Sequence, residues 1–211
     1  SYGDSPYQSF STFAGNPYFI DLDTLVEEGV LDKKDCEKVN WGKKPDEVDY
    51  EKIYKGRYPL LRKAYENSDI SKNPDYQKFV AENSWWLSDY ALFMALKSHF
   101  NNVSWGEWET DIKFRKPEAM SQYEEKLSDD IGYWKFIQFE FYRQWNALKQ
   151  YANSNGIEII GDIPIYMGYD SVDVWANQGE FQLDENLTPI KVAGVPPDAF
   201  SDAGQKWGNP L

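Results

Sequence analysis

The sequence predicts an α/β chain in which helix outweighs strand, and three observations lead there. Residues 129–153 carry the clearest helical stripe, with Trp134, Ile137, Phe141, Trp145, Leu148 and Ala152 at steps of three and four. Directly after it, Ile157-Glu158-Ile159-Ile160-Gly161-Asp162-Ile163 reads as a short strand rich in β-branched residues. A helix feeding such a strand is a unit of a parallel sheet, in which each strand is flanked on both edges. Third, no second strand of this kind occurs. The remaining strand pattern is a hairpin pairing 181–183 with 189–192 around Asp184-Glu185-Asn186. A lone parallel strand leaves its hydrogen-bonding edges empty, so its sister strands are expected outside these 211 residues. The chain opens on Ser1, in loop chemistry, and both ends are expected to be cuts.

The other elements follow in order. Residues 1–20 are loop-like and aromatic, with Gly15-Asn16-Pro17 as a turn before Asp21 caps a short helix through Leu22, Leu25 and Val26. Residues 32–48 are charged and irregular. From Asp49, the spacing of Tyr50, Ile53, Tyr54, Leu60, Leu61, Ala64 and Tyr65 predicts a helix interrupted or kinked at Pro59. One further helix is expected after Asn73-Pro74, with Phe79, Trp86, Tyr90 and Phe93 on its stripe and an end near Phe100-Asn101-Asn102. Residues 103–120 give a weak signal. In the 129–153 helix, Asp129-Asp130 sit at the positive end of the dipole and Gly156 lies beyond the far end.

Bulk chemistry excludes several classes. Lys+Arg 22 against Asp+Glu 35 gives a net charge of −13, which repels phosphate backbones and anionic lipid and argues against nucleic-acid or membrane partners. A solvated acidic surface is the plain reading. Cys36 is the single cysteine, so no intrachain disulfide can form, and a reducing, cytoplasmic location is expected. Carboxylates around Cys36 disfavour its thiolate. His99 is the single histidine, which leaves no zinc cluster and no His-based triad, and its place near a helix end suits a dipole partner. No phosphate-cradling or dinucleotide glycine run occurs, and no cofactor or metal is implied.

The aromatic content is unusual, with 9 Trp, 15 Tyr and 12 Phe making 17% of the chain. A pyranose has an apolar face of C–H groups that packs on a ring, while its hydroxyls need amides and carboxylates. Most of these rings are expected in the core, and in Trp85-Trp86 one ring should point inward with the other at an edge. Two places carry candidate chemistry. Asp162 falls near the C-terminal end of the expected strand, where α/β barrels carry their sites, although an Asp there also braces loops. Residues 194–211 combine prolines and glycines with Phe200, Trp207, Asp198, Gln205 and Asn209, which suits a ligand-facing loop or an Ω-type loop packed on its own rings. Ser5-Pro6-Tyr7-Gln8 repeats the combination of hydroxyl, ring and amide.

These segments resemble a known family. Residues 2–11, Ala14-Gly15-Asn16-Pro17-Tyr18, Gly161-Asp162-Ile163-Pro164-Ile165, Asp170-Ser171, Asp173-Val174-Trp175-Ala176, residues 192–198 and residues 204–211 closely resemble 4-α-glucanotransferases of the amylomaltase type (disproportionating enzyme). The resemblance implies a partial (β/α)8 TIM barrel of the α-amylase type with a mostly helical insertion. On that map residues 1–20 are the substrate-side loop after barrel strand two and 21–127 the helical insertion. Residues 128–211 are then a barrel helix, strand three and a long active-site loop.

The implied activity is transfer of α-1,4-glucan segments from donor to acceptor maltooligosaccharide by retaining double displacement, with glucose as acceptor or product. The family's nucleophilic Asp lies in an Arg-Ile-Asp-His motif that this chain lacks, so no catalytic residue is assigned and the segment alone is expected to be inactive. Matched residue by residue, the resemblance makes Ser5, Tyr7, Asp162, Asp198, Gln205, Trp207 and Asn209 substrate-side groups, and Tyr2 and Tyr54 a secondary glucan site. One departure is Ala199 where the family loop usually has Tyr, a lost ring that should weaken acceptor-side stacking by ~1 kcal/mol. Two other readings are a non-catalytic maltooligosaccharide-binding module and a helical interaction protein of shared ancestry.

Overall fold

The computed structural model describes residues 8–42, 46–199 and 201–211. Its regular elements are α1 (Leu22–Glu27), α2 (Lys33–Glu37), α3 (Tyr50–Asn67), α4 (Pro74–Glu82), α5 (Ser84–His99), α6 (Thr110–Lys113), α7 (Pro117–Lys126), α8 (Ser128–Ser154), α9 (Val172–Ala176), β1 (Val192–Val195) and β2 (Gln205–Pro210). Helix dominates, as the sequence predicts. The chain divides into two compact units. The first comprises Ser1–Ala14, Asp89–Ile131 and Gly161–Leu211, and the second Gly15–Ser88 and Gly132–Ile160.

In the second unit, caps set the helix starts. The Asp21 carboxylate accepts from the Asp23 and Thr24 amides to open α1, and the Asn73 side chain accepts from Asp75 and Tyr76 to open α4, with Pro74 in its first turn. Helix α3 runs through Pro59 without interruption, so of the expected interruption or kink the first does not occur. A mid-helix proline costs ~3 kcal/mol, and burial of Leu60, Leu61 and Ala64 on the following turn offsets it at ~1.5–3 kcal/mol per leucine. The tyrosines of α3 pack on the first turns of α8. Tyr58 meets Trp134 at 5.9 Å between ring centroids, Tyr65 meets Phe136 at 5.6 Å, and the Tyr133 hydroxyl donates to the Tyr58 carbonyl at 3.2 Å.

The single helix expected after Pro74 is two. Asn83 ends α4: its amide N–H and its side-chain Nδ2 both donate to the Phe79 carbonyl, while its Oδ1 accepts from the Trp86 indole at 3.1 Å. An Asn side chain that bonds locally competes with the helical ladder, which the apolar stripe alone does not reveal. Helix α5 is then buried on almost every face from Trp86 to Lys97, with Trp86 inside and Trp85 exposed as expected. It ends at His99, and left-handed Asn101 and Asn102 turn the chain away, as predicted.

The first unit gathers its core around Phe93 of α5, whose ring lies 5.4 Å from Trp108 and 5.8 Å from Trp175. The Trp175 indole donates to the Ile112 carbonyl at 3.2 Å. The weak stretch 103–120 therefore supplies buried Trp105, Trp108 and Ile112 from a 3-10 turn (Trp105–Glu107), α6 and the start of α7.

Three further expectations are corrected. Residues 157–163 form no strand, and their isoleucines stand in solvent, Ile160 at 92% exposure. β-branched propensity needs a neighbouring strand to pair with, and none of the described residues supplies one. Along α8 the stripe is buried at Trp134 and Ile137, but Trp145 and Leu148 lie exposed. The expected hairpin after residue 181 shrinks to the bridge between Leu183 and Pro189, flanked by the Asp184 amide donating to the Thr188 carbonyl and the Ile190 amide to the Gln182 carbonyl at 2.9 Å each; the Gln182 amide donates to the Leu211 carbonyl at 2.6 Å instead of continuing the ladder.

Residues 194–211, read from sequence as a loop, instead hold most of an antiparallel hairpin in which Val192 pairs with Pro210, Gly194 with Lys206 and Val195 with Gln205. An irregularity in register falls between Val192 and Gly194. The burial pattern of β2, exposed at Gln205 to Gly208 and buried at Asn209 and Pro210, lacks the alternation that marks a strand. At Gly194 a Cβ would sit 2.5 Å from the Gln205 carbonyl oxygen, so this close approach of two backbones requires glycine.

Candidate functional site

A cleft of about 660 Å³ opens in the first unit. Its walls come from four segments: residues 8–10, the end of α5 with the turn that follows, the residues ahead of α9, and β2. The first of these is fastened by α9. The Val172 amide donates to the Phe10 carbonyl at 2.8 Å, and the Asp173 carboxylate accepts from the Thr12 amide at 2.9 Å. Burial pushes the Asp173 carboxyl above the usual carboxylate range, and the Thr12 bond offsets part of that rise.

One wall of the cleft holds a buried cation. Lys97 is 1% exposed, and its Nζ donates to the Asn102 carbonyl at 3.0 Å, the Val103 carbonyl at 2.8 Å and Asp170 Oδ2 at 2.6 Å. Three ammonium protons thus meet three acceptors, and the Phe10 ring centroid lies 5.2 Å away. Asp170 Oδ1 accepts from the Trp105 amide at 3.1 Å, and the Trp105 indole donates to the Tyr169 carbonyl at 2.6 Å. The network ties the turn after α5 to the residues ahead of α9. Sequence reading passed over Lys97, although a lysine ending the run Ala91-Leu92-Phe93-Met94-Ala95-Leu96 was a visible signal of a buried charge.

Tyr169 packs on Trp105 at 4.8 Å and donates its hydroxyl to the Leu187 carbonyl at 2.8 Å. Its phenol is pushed up to about 12 by burial first, then by Asp170 and Asp184. It is therefore a neutral hydrogen-bond donor at physiological pH.

Of the residues singled out from sequence, the structure brings three together on β2. Trp207 is 39% exposed at the cleft, its indole donates to Gln205 Oε1 at 3.0 Å, and its ring centroid lies 6.0 Å from that of Tyr166. Asn209 lines the cleft but is 6% exposed, and its Nδ2 donates to the Met167 carbonyl at 2.9 Å. Asp198 stands exposed between the strands, in reciprocal bonds with Ser201, and Asp162 is exposed with its Oδ1 accepting from the Ile163 amide. Neither lines the cleft. Tyr54 belongs to the second unit, exposed beside Tyr58 at 4.9 Å and near exposed Tyr50. Tyr2, Ser5 and Tyr7 lie outside the described residues.

Among the described residues, no group of three or more His, Cys, Asp or Glu side chains is placed to hold a metal ion, and no helix is long and apolar enough to cross a membrane. Cys36 is half-buried, and burial followed by Asp23 and Asp35 pushes its thiol up. An exposed indole beside amides, in a cleft carrying a carboxylate, has the chemistry with which proteins hold carbohydrate.

Comparison with known proteins agrees with that chemistry. The sequence model of glycoside hydrolase family 77, described as 4-alpha-glucanotransferase, matches residues 1–211, and the chain belongs to this family. It is 54% identical to the 4-alpha-glucanotransferase of Clostridium butyricum over 100% of this chain and 44% of that protein. It is 44% identical to that of Thermus thermophilus over 100% of this chain and 42% of that protein. The structure of amylomaltase from Streptococcus agalactiae in complex with acarbose superposes at a TM-score of 0.94 with 46% identity, covering 100% of this chain and 43% of that one. The chain thus spans less than half the length of these relatives.

Proposed function

We propose that this chain is the glucan-holding part of a 4-α-glucanotransferase that moves α-1,4-glucan segments from a donor to an acceptor maltooligosaccharide, with glucose as acceptor or product. The observation that carries this reading is the family match along the whole chain. The acarbose bound by the structurally similar amylomaltase supports the substrate class. The reaction is a retaining double displacement. A carboxylate attacks the anomeric carbon while an acid protonates the departing glycosidic oxygen, and the same group, now a base, takes the proton of the acceptor 4-hydroxyl as it displaces the glycosyl ester. Both reacting carboxyl groups lie outside these residues, so this segment binds and orients.

In this reading the Trp207 ring stacks on the apolar face of a glucosyl unit, Gln205 and Asp198 bind its hydroxyls, and Asn209 steadies β2 beneath them. Ser5 and Tyr7 complete the donor side, Asp162 closes the end of a barrel strand formed by 157–163, and Tyr2 with Tyr54 holds a second glucan. The exposed isoleucines of 157–163 support a (β/α)8 barrel in which strands not present in this chain flank that run. The same reading divides the chain into a substrate-side loop (1–20), a helical insertion (21–127) and a barrel portion (128–211), and places the enzyme in the cytoplasm. Covering the site keeps water from the covalent intermediate, which favours transfer over hydrolysis.

The test is to express the complete reading frame and incubate it with maltotriose. Release of glucose together with longer glucans is expected, and Trp207→Ala should lower kcat/KM for that conversion by tenfold or more, the loss expected on removing a stacked ring. Release of glucose without longer products, or full activity in the variant, defeats the reading. A maltooligosaccharide-binding module without transfer is the second reading, favoured by a cleft whose lining lies wholly within one unit.

A further inference from the structure

Lys97 touches three of the four walls of the cleft at once. Its Nζ lies 5.2 Å from the Phe10 ring centroid, in the segment 8–10, and donates to the Asn102 and Val103 carbonyls of the turn after α5 and to Asp170 ahead of α9. The fourth wall, β2, is reached at one remove, because Asp170 ends an irregular segment, 166–170, that holds β2. The Met167 carbonyl accepts from Asn209 Nδ2 at 2.9 Å, and the Tyr166 ring lies 6.0 Å from that of Trp207.

How this segment is held decides what Lys97 does. None of the backbone amides of residues 166–170 donates to another described residue, so no helix or ladder fixes its course. Its position rests mainly on side chains. Besides Asn209 at Met167, the Trp105 indole donates to the Tyr169 carbonyl, the Tyr169 hydroxyl donates to the Leu187 carbonyl, and Asp170 accepts from the Trp105 amide and from Lys97. Of these ties only the last joins two charges, and charge-assisted bonds are roughly twice as strong as neutral ones.

Lys97 has nothing left with which to hold a substrate. It is 1% exposed, and its three N–H groups are spent on three acceptors. A buried cation with no free donor, set where the walls of a cleft meet, acts on a ligand only through the groups it places. Resting on the glucan-transfer reading above, we propose that Lys97 is a positioning residue of that reaction. Through Asp170 and the segment 166–170 it sets the place of Trp207, and so governs the hold on the glucan without touching it.

The test is a double-mutant cycle on protein from the complete reading frame, with Lys97→Met, Trp207→Ala and both together, in which initial rates of glucose release from maltotriose give kcat and KM. Thermal melts set an assay temperature at which every form is folded. The expected result for Lys97→Met is a KM raised roughly three- to tenfold with kcat within about twofold, since losing a hold common to ground and transition states raises KM alone. On the Trp207→Ala background the same substitution should change KM by less than about twofold, because the ring through which it acts is gone. A lysine that merely supports the fold behaves otherwise. Loss of folded protein lowers the apparent kcat by one factor in both backgrounds and leaves KM where it was. That pattern, or KM changes that multiply in the double variant, overturns the inference while the glucan-transfer reading stands. Where Lys97→Met does not fold, Lys97→Gln, which keeps two N–H donors, carries the same cycle with the same deciding outcomes. If unaltered protein makes no glucose and longer glucans from maltotriose, both readings fall.

Discussion

Lys97 and Asp170 meet at 2.6 Å across 73 residues of sequence, the lysine 1% exposed and the aspartate side chain 34% exposed. The pair is unequal in its demands. Asp170 retains the Trp105 amide and some water when its partner is removed, whereas the Asn102 and Val103 carbonyls lose their shared donor. Breaking a fully buried pair costs ~3–5 kcal/mol, and the exposure of Asp170 moves the expectation to about 2–3 kcal/mol for Lys97→Met. Lys97→Arg should fail to restore it, because a planar fork cannot meet three acceptors arranged around a point charge. Urea midpoints for the three forms check both statements, and an unchanged midpoint in Lys97→Met contradicts the first.

Gln138 clamps Gly15 in both directions. It accepts from the Gly15 amide at 2.8 Å and donates to the Gly15 carbonyl at 3.1 Å, with its side chain wholly buried. Gln138→Leu keeps the volume but strands a donor and an acceptor, which should cost about 2–4 kcal/mol. At Gly15 a Cβ would lie 1.9 Å from the Phe141 ring, so Gly15→Ala forces that ring aside at ~1–3 kcal/mol. Because both changes disturb one junction, the double variant should lose less than the sum, as chemical denaturation of all four forms will show.

Arg143 is held by Glu28 through two bonds, at 2.6 and 2.9 Å, and by Glu140 through a third at 2.5 Å. Burial raises the Glu140 carboxyl above its usual range, and the Arg143 charge offsets only part of that rise. The folded state therefore binds a proton at Glu140 at a pH where the unfolded chain, with its carboxyl near ~4.3, has lost it. Stability from this group is greatest below that unfolded value and falls as pH rises toward the folded one. Glu140→Gln should flatten the fall and raise stability at pH 7 by no more than ~1 kcal/mol, since Arg143 keeps its bidentate partner. Midpoints measured from pH 4 to pH 7.5 decide it. A variant whose pH profile parallels the unaltered protein shows that Glu140 does not carry this dependence.

Local signals served the sequence reading well. The caps at Asp21 and Asn73, the turn at Asn101-Asn102 and the length of α8 were all visible, because each is decided by a few neighbouring residues. What sequence hid was decided at a distance. Trp105 and Trp108 are buried from a stretch with no period, since their burial comes from Phe93, Trp175 and Tyr169 far along the chain. Helix α3 survives Pro59 through tertiary burial, and β2 pairs without alternation because backbone contact at Gly194 replaces side-chain patterning. At the cleft, Trp207 and Asn209 were among the residues singled out in the sequence. Their neighbours Lys97, Asn102 and Glu107 were not, for they reach the cleft only through the turn that the Lys97 ammonium holds.

The isoleucines of 157–165 have a bearing on how this polypeptide fares while it is being made. Ile157, Ile159, Ile160, Ile163 and Ile165 all stand exposed, and the run from 157 to 163 contains no proline. Such a segment, rich in β-branched residues, is a template for intermolecular cross-β stacking whenever its edges are open. Glu158 and Asp162 interrupt it at a spacing of four, so that copies stacked in register would bring like charges face to face. The two carboxylates therefore oppose in-register stacking of the run by charge alone.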